Sequence, residues 1–319
     1  MIVFRSPADV PSGFGPSVVA IGKFDGVHSG HRAVIDRARV DAATGDARVV
    51  AVTFDRNPLA LLRPEICPVS LIGMHQKLQL LAETGIDATL MLTFDRALAD
   101  LTPRAFVEHV LVDALAVRAV LVGDDFRFGG GGAGNPDVLR ELGREFGFEV
   151  EVVGDVRAID GGRRVSSTWI RELLDEGDVA TAARLLGRPP SVWGEVVHGL
   201  KRGRELGYPT ANLSVDLEGF VPADGVYAGW LIDEGSADGL RPGIRYAAAI
   251  SIGTNPTFGD VPQRQVEAYV LDETDLDLYG HRVEVQFTGR VRGMVAFDGV
   301  DALVRQIADD VEKVREALT

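Results

Sequence analysis

Short apolar runs alternate with segments of helical periodicity through the first half of the chain. Five runs rich in Val, Ile and Leu have the length of buried parallel strands. They span Val18–Gly22, Ala47–Phe54, Ala88–Phe94, Val117–Gly123 and Phe148–Gly154. The segments between them repeat apolar residues near a 3.6-residue period and span His31–Ala43, His75–Thr84, Pro103–Ala114 and Pro136–Phe146. This strand–helix repetition predicts a doubly wound parallel sheet, with a mixed α+β domain as the alternative.

The pattern changes after Leu186, where Gly187-Arg-Pro-Pro190 ends a helix and stiffens the link that follows. The later runs alternate or are rich in β-formers, and they span Val192–His198, Val226–Ile232, Arg245–Ile252, Gln265–Asp272 and Arg282–Phe287. They predict antiparallel strands in a sandwich or a small barrel. The chain ends in an amphipathic helix from Val300 to Leu318. We therefore predict two domains, residues 1–186 and 187–319.

Composition and charge narrow the classes of function. With 319 residues, 46% apolar and 25% charged, the chain has enough apolar surface for two cores and is not disordered as a whole. Its net charge of −14 argues against nucleic-acid or anionic-membrane partners, so an anionic substrate needs a local site. The single cysteine, Cys67, forms no internal disulfide, and neither a membrane-spanning run nor a signal peptide is evident. These features predict a cytoplasmic protein.

The first candidate site follows the first strand, in Gly22-Lys-Phe-Asp-Gly-Val-His-Ser-Gly-His31. Ligands of open parallel sheets bind at the carboxyl ends of strands, and a helix start favours phosphate. His28 and His31 share one face if the helix begins near Ser29, and two imidazoles there can stabilise phosphate charge. The alternatives are a tight turn with histidines capping the helix, and a metal site.

These residues carry a family resemblance. His28-Ser-Gly-His31 resembles the HxGH motif of nucleotidyltransferases, which attack the α-phosphate of a nucleoside triphosphate and release pyrophosphate. With Phe24-Asp-Gly26 ahead of it, the string resembles the bacterial bifunctional riboflavin kinase/FMN adenylyltransferases, or FAD synthetases. The resemblance implies a Rossmann-like N-terminal domain that adenylylates FMN, with His28 and His31 stabilising the α-phosphate. The residues it places near ATP are Gly22, Phe24, Asp25 and Gly30.

Two more segments of the first half fit this resemblance. Leu121-Val-Gly-Asp-Asp-Phe-Arg-Phe-Gly129 resembles the family's GxDFxFG loop near flavin and nucleotide, although the residues alone indicate either a lid or a plain turn. Ser166-Ser-Thr168 with Ile170-Arg171 resembles a second phosphate-binding motif, although Ser and Thr are equally ordinary helix N-caps. The resemblance thus implies flavin-binding residues Asp125, Phe126, Phe128 and Asn135, and triphosphate-binding residues Ser167, Thr168 and Arg171.

One segment departs from the family pattern. The family commonly has Phe-Asp-Pro-His-Pro after the second strand, whereas this chain has Phe54-Asp-Arg-Asn-Pro58. Asn57 donates a hydrogen bond but does not titrate as histidine does, and Arg56 adds a permanent charge. Adenylyl transfer does not obviously depend on this position, so we expect an effect on rate rather than on the reaction.

The second candidate site lies in Gly199-Leu-Lys-Arg-Gly-Arg-Glu-Leu-Gly207 and the following Tyr208-Pro-Thr-Ala-Asn212. On an extended segment Thr210 and Asn212 point the same way, and their oxygens suit Mg²⁺. A solvated basic loop followed by a turn is the alternative. The second stretch resembles the PTAN motif of riboflavin kinases, which implies that Thr210 and Asn212 bind the magnesium of Mg·ATP. The implied phosphate-binding residues are Gly199, Lys201, Arg204 and Gly207.

A candidate base follows in Val266-Glu-Ala-Tyr-Val-Leu-Asp272, which matches the family's strand with the catalytic glutamate. Alternation alone puts Glu267 opposite Val266 and Ala268, on a wet face where a carboxylate is usually just solvated. The resemblance instead makes Glu267 the general base for the ribityl hydroxyl. Pro222–Ala228 and Ile252–Gly259 also resemble family strings.

The resemblance extends from about Val18 to Leu318 and implies a C-terminal antiparallel β-barrel with a terminal helix that acts as a riboflavin kinase. The expected ligands are riboflavin, FMN, FAD, ATP and Mg²⁺, and a homo-oligomer is compatible with the sequence. One alternative is another HxGH nucleotidyltransferase, which leaves Thr210 and Asn212 unexplained. The other is a flavin-binding regulator with one inactive domain, for which Asn57 is the hint.

Overall fold

The computed structural model describes residues 1–158, 162–199, 203, 206–236, 243–254, 264–273 and 276–319. Two compact units divide the chain: the first comprises Met1–Ser70 and Met74–Ser166, and the second comprises Leu71–Gly73 and Ser167–Thr319. Helices between Ser167 and Leu186 thus group with the second unit. The boundary at 186/187 between the two activities stays a prediction. No helix in the described part of the chain is long and apolar enough to cross a membrane.

The first unit contains a six-stranded sheet in which all neighbouring strands are parallel. Its strands are β1 (Ile2–Phe4), β2 (Ser17–Ile21), β3 (Arg48–Phe54), β4 (Ala88–Leu92), β5 (Val117–Gly123) and β6 (Glu149–Val153). Their order across the sheet is β1-β4-β3-β2-β5-β6. Every residue of β2 and β4 is buried, so both faces of the sheet are covered, which explains why these strands have continuous apolar sequences. The predicted α/β architecture is confirmed.

Helices connect these strands. They are α1 (Ser29–Ala43), α2 (Leu59–Leu62), α3 (Met74–Ala82), α4 (Arg96–Ala99), α5 (Pro103–Phe106) and α6 (Pro136–Phe146). Helix α5 continues as a π-helix over Val107–Ala114, and the two together fill the predicted Pro103–Ala114 segment. Both α5 and α6 begin at a proline, whose fixed φ suits a first helical turn.

The second unit contains a closed antiparallel barrel of six strands. They are β7 (Ser191–Val197), β8 (Thr210–Leu213), β9 (Gly225–Ser236), β10 (Ile244–Thr254), β11 (Arg264–Val270) and β12 (His281–Arg292). Around the barrel they follow the order β10-β11-β8-β7-β12-β9. The barrel, rather than the sandwich, is therefore the correct form of the predicted β-domain.

In the described part of the second unit, the barrel is accompanied by α7 (Ser167–Glu176), α8 (Val179–Leu186) and α9 (Val300–Leu318). Helix α9 packs Val311 and Val314 against a small cluster that includes Ala228 of the barrel. Arg292, the last residue of β12, donates to both carboxylate oxygens of Asp310 on α9, at 2.6–3.0 Å. Asp310 is 3% exposed, so this bidentate pair fixes the terminal helix on the barrel.

Candidate functional site

The chain turns sharply between β2 and α1. Phe24, Gly26 and Val27 have positive φ angles of 48°, 92° and 40°. The two L-residues adopt this backbone at a cost of about 1 kcal/mol or more each, which the surrounding structure must offset. Both side chains are fully buried beneath the turn, and the turn delivers His28 to the N-cap of α1.

The two motif histidines form a stacked pair. Their ring centroids lie 3.7 Å apart with an interplanar angle of 17°. The His28 Nδ1 accepts a hydrogen bond from the backbone N–H of His31 at 3.4 Å, which leaves the proton of a neutral His28 ring on Nε2. A Cβ at Gly30 would lie 3.1 Å from the His28 ring, so glycine leaves the ring its space. The capping alternative and the shared-face prediction are therefore both correct for His28.

His31 is held in its neutral form. Burial is the main cause that places the pKa of His31 well below 6.5, and the charges of His28, Lys77 and Arg164 act in the same direction. Within the described residues its Nδ1 is buried without a hydrogen-bond partner. The edge of the Phe24 ring contacts it at a centroid distance of 5.3 Å. A neutral imidazole at this strand end is a hydrogen-bond donor or acceptor rather than a cation.

Lys77 is a residue of this site that the sequence did not mark. It lies on α3, and its Nζ donates to the carbonyl oxygen of Phe54, the last residue of β3, at 3.1 Å. Burial lowers the pKa of Lys77, while Asp25 and Asp55 oppose the change. No motif surrounds this lysine in the sequence, so only the fold brings it to the histidines.

The departure from the family pattern has a local structural role. The Oδ1 of Asn57 accepts from the N–H of Leu59 at 3.1 Å, at the start of the short helix α2. Arg56 is exposed and pairs with Asp55 at 3.4 Å. The amide at position 57 thus stabilises the turn after β3.

The loop after β5 closes on itself through an antiparallel bridge between Phe128 and Gly134. The Phe126 and Phe128 rings are stacked with centroids 5.3 Å apart, and Phe128 is 7% exposed within the core. The Oδ1 of Asn135 accepts from the N–H groups of Asp137 and Val138 at 2.9 Å each, so Asn135 is the N-cap of α6. Phe128 and Asn135 therefore support the fold, and their flavin contacts stay predictions.

Arg164 forms ion pairs with three acidic side chains in the first unit. Its guanidinium pairs with Asp155 at 2.8 Å, Asp125 at 3.1 Å and Asp124 at 3.5 Å. Asp125, predicted to bind flavin, is thus engaged by an arginine that no motif had singled out. The residues predicted to hold triphosphate, Ser167, Thr168 and Arg171, lie at the start of α7 in the second unit, and their role stays a prediction.

The second site lies on the outer face of the barrel, where β8 and β11 pair. Glu267 is directly opposite Asn212 in the register. The Thr210 hydroxyl donates to Glu267 Oε2 at 3.5 Å, and the Asn212 Nδ2 donates to Thr210 Oγ1 at 3.2 Å. The neighbouring Val266 and Ala268 are 1% and 0% exposed and point into the barrel. The structure thus brings together the amide, hydroxyl and carboxylate that the sequence predicted for the kinase.

Glu267 is half-buried rather than simply solvated. Burial raises the pKa of Glu267 above 4.5, and the hydrogen bond from Thr210 partly opposes that rise. A carboxylate with a raised pKa accepts a proton more readily than an ordinary one. This environment suits a general base.

Glycines give the preceding loop its close approach to β8. A Cβ at Gly199 would lie 2.5 Å from the Asn212 Oδ1. The carbonyl of Gly203 accepts from the N–H of Tyr208 at 2.7 Å, and Gly207 has φ +86°. Lys201 and Arg204, predicted to bind phosphate, lie outside the described residues, as does part of the Ile252–Gly259 string.

The donor set fits magnesium bound together with substrate. Thr210 and Asn212 supply two neutral oxygens beside the Glu267 carboxylate, and hard cations prefer oxygen ligands. Among the described residues no group of three or more His, Cys, Asp or Glu forms an all-protein metal cage. Mg²⁺ commonly keeps water and substrate phosphate as its other ligands, so a site with two protein oxygens suits it.

Comparisons with known proteins match both halves of the chain. A family model described as FAD synthetase matches residues 11–169, and one described as riboflavin kinase matches residues 186–318. The bifunctional riboflavin kinase/FMN adenylyltransferase of Escherichia coli K12 is 38% identical over 299 residues, covering 94% of this chain and 92% of the relative. The protein of the same name from Haemophilus influenzae is 33% identical over 298 residues, covering 93% and 92%.

A solved structure shares the whole fold. The crystal structure named as a macrolide-efflux protein from Streptococcus pneumoniae has a TM-score of 0.83 and 31% sequence identity, and 98% of each chain is covered. That name concerns the pneumococcal protein, and its bearing on this chain is the similarity of fold.

Proposed function

The chain belongs to the family of bifunctional riboflavin kinase/FMN adenylyltransferases, and from this premise we propose which residues carry its two reactions. It phosphorylates riboflavin to FMN with ATP, and it adenylylates FMN to FAD with release of pyrophosphate. The first reaction belongs to the half matched by the riboflavin kinase model, and the second to the half matched by the FAD synthetase model.

In adenylyl transfer, a phosphate oxygen of FMN attacks the α-phosphorus of ATP. A new P–O bond joins the two, the bond from the α-phosphorus to the α,β-bridging oxygen breaks, and pyrophosphate leaves with that electron pair. The FMN phosphate is already an anion, so no strong base is needed. We propose that the stacked, N-capping His28 and the neutral His31 donate hydrogen bonds to the α-phosphate as its charge redistributes.

In this proposal, further residues that the sequence predicts for ATP and FMN hold the two substrates. Gly30 lies against the His28 ring and the Phe24 ring contacts His31, which supports a nucleotide-binding role for this turn; Gly22 and Asp25 are assigned to ATP with them. Ser167, Thr168 and Arg171 bind the triphosphate in this proposal. The flavin contacts are assigned to Asp125, Phe126, Phe128 and Asn135.

In the kinase reaction, the ribityl hydroxyl oxygen attacks the γ-phosphorus of ATP while Glu267 takes the hydroxyl proton. The bond from the γ-phosphorus to the β,γ-bridging oxygen breaks, and ADP leaves with its electrons. Thr210 and Asn212 would hold Mg²⁺, which neutralises phosphate charge when bound. The loop bearing Gly199, Lys201, Arg204 and Gly207 covers the phosphates in this proposal.

One observation supports this assignment most: the hydrogen-bonded set of Asn212, Thr210 and Glu267 on paired strands, with the Glu267 pKa raised. A different HxGH nucleotidyltransferase has no use for this set or for residues 186–318.

The test is turnover by the purified full chain with riboflavin, ATP and MgCl₂, with the flavins separated by chromatography over time. FMN appearing before FAD is the expected result. Binding of FMN without turnover would favour the regulator, and turnover with CTP or a phosphopantetheine acceptor in place of flavin would favour the other transferase.

A further inference from the structure

An ammonium group stands at the edge of the sheet where the adenylylation motif lies. Lys77 Nζ donates to the carbonyl of Phe54, at the carboxyl end of β3, at 3.1 Å. Strand β3 is the parallel neighbour of β2, whose carboxyl end leads into the Gly22–His31 segment. The carboxyl ends of adjacent parallel strands form one edge, which is where ligands of such sheets bind.

Electrostatics confirm that Lys77 is close to the motif. Its charge helps to lower the pKa of His31, and Asp25 and Asp55 act on the pKa of Lys77 itself. Yet in the described part of the chain no carboxylate lies within ion-pair distance of Lys77. Asp55 is occupied otherwise, since its Oδ1 accepts from the N–H of Phe94 at 2.9 Å and its Oδ2 pairs with Arg56.

A half-buried ammonium without an ion pair is costly, and such groups concentrate at functional sites. Of its three N–H donors one serves Phe54, so two are available to a ligand. Two other arginines near the motif are less suited: Arg164 pairs with three aspartates, and Arg56 lies at the surface and pairs with Asp55. In a chain of net charge −14, a bound triphosphate needs such a local positive charge.

We propose that the Lys77 ammonium binds phosphate oxygens of ATP during adenylyl transfer to FMN, as a substrate-contacting residue beside His31. The group donates hydrogen bonds and positive charge to the oxygens while the bond to pyrophosphate breaks, and it does not itself gain or lose a proton. This assignment rests on the proposed adenylyltransferase function of the first half.

The experiment compares Lys77→Gln and Lys77→Arg with the wild-type full chain. Gln keeps an N–H donor for the Phe54 carbonyl but removes the charge, whereas Arg keeps the charge. We expect Lys77→Gln to lower kcat/KM for FMN adenylylation about 100-fold, the size typical of one lost donor to a developing charge. Lys77→Arg should have a kcat/KM about ten times that of Lys77→Gln.

The same molecule supplies the internal control, because its riboflavin kinase activity should stay within about twofold in both variants. Lys313→Gln is the matched lysine control, since Lys313 pairs with Asp309 on the exposed side of α9, and it should leave both activities unchanged. Thermal unfolding midpoints should also stay close to that of the wild type.

Adenylylation by Lys77→Gln within about threefold of wild type would overturn the proposal, because the Phe54 hydrogen bond would then explain the lysine. Loss of both activities with a lower unfolding midpoint would also overturn it, in favour of a structural role. An equal loss of adenylylation in Lys77→Arg and Lys77→Gln at an unchanged unfolding midpoint would also contradict the proposal, because the positive charge would then make no difference. If the wild type itself makes no FAD from FMN, the failure belongs to the proposed function.

Discussion

Burial shifts the pKa values of Glu267 and His31 in opposite directions for the same physical reason. It disfavours the charged form of each group, so Glu267 holds its proton more tightly and His31 loses its proton more readily. The first shift makes a better base of a carboxylate, and the second keeps an imidazole neutral near a phosphate. The two shifts suit the two reactions assigned to these residues.

The pH profile of the kinase follows from Glu267. A general base works when deprotonated, so kcat/KM for riboflavin phosphorylation should rise with pH as Glu267 loses its proton. Because the Glu267 pKa is raised, the midpoint of that rise should lie above 4.5, the ordinary value for a glutamate. Glu267→Gln should lower the rate about 100-fold or more and abolish this limb of the profile.

The control is Glu195→Gln, which removes an exposed carboxylate from strand β7 of the same barrel. It should keep the wild-type profile. An acid limb that persists unchanged in the residual activity of Glu267→Gln would show that another group titrates and that Glu267 is not the base.

A motif in the sequence indicates which groups to examine, whereas groups that only the fold brings together have no sequence signal. His28 and His31 share a face because they are three apart, and Thr210 contacts Glu267 across paired strands, while the roles of all four residues stay predictions. Lys77 has no motif, and it reaches the site through the pairing of β2 with β3. Asn135 is the N-cap of α6, a role that a motif match does not separate from the predicted flavin binding.

At the scale of elements, helix α6 depends on its cap. Asn135 Oδ1 satisfies two N–H groups at the start of the helix, so Asn135→Ala should lower the free energy of unfolding by about 1 kcal/mol. Asn135→Asp keeps an accepting oxygen and should retain most of that stability. Chemical denaturation of each variant measures the difference.

The same pair of variants separates the cap from the predicted flavin contact. If the amide N–H₂ also binds flavin, Asn135→Asp should raise KM for FMN in adenylylation while stability is kept. An unchanged KM in Asn135→Asp would limit the role of Asn135 to capping.

The position of the Asn212 side chain on β8 depends on residue 199 being a glycine. A Cβ at Gly199 would overlap the Asn212 side chain, so Gly199→Ala should displace Asn212 and lower riboflavin kinase kcat/KM about tenfold. Gly289→Ala is the matched control, because no atom lies within 4 Å of a Cβ at that position of β12. Flavin chromatography measures both, and an equally active Gly199→Ala would show that Asn212 tolerates displacement.

Elements with strong periodicity were predicted closely, and short ones were not. The bounds of β5, α6 and α9 agree with the apolar patterns to the residue. Strands β1 and β8 have only three and four residues, which are too few for an alternation of apolar and polar residues to be recognised. Strand β8 also consists of Thr-Ala-Asn-Leu, and its two polar residues interrupt the apolar pattern of a core strand.

At the scale of the whole molecule, the change of pattern near Leu186 indicated two architectures in one chain. The parallel sheet followed from strand–helix alternation, because crossover helices make strands parallel. Closure of the barrel did not follow, because it depends on the pairing of β9 with β12 and of β8 with β11, which are distant in sequence. The sequence runs alone therefore left a sandwich and a barrel open, and the family resemblance favoured the barrel.

In the proposed assignment each half carries its own active site, with Glu267 serving only the kinase and His28 only the adenylyltransferase. The most direct measurement gives Glu267→Ala and His28→Ala either riboflavin or FMN, with ATP and MgCl₂, and follows the flavins by chromatography. Glu267→Ala should leave riboflavin unchanged yet convert supplied FMN to FAD, and His28→Ala should stop at FMN. If either substitution removes both activities while the thermal unfolding midpoint is kept, the two-site account is wrong.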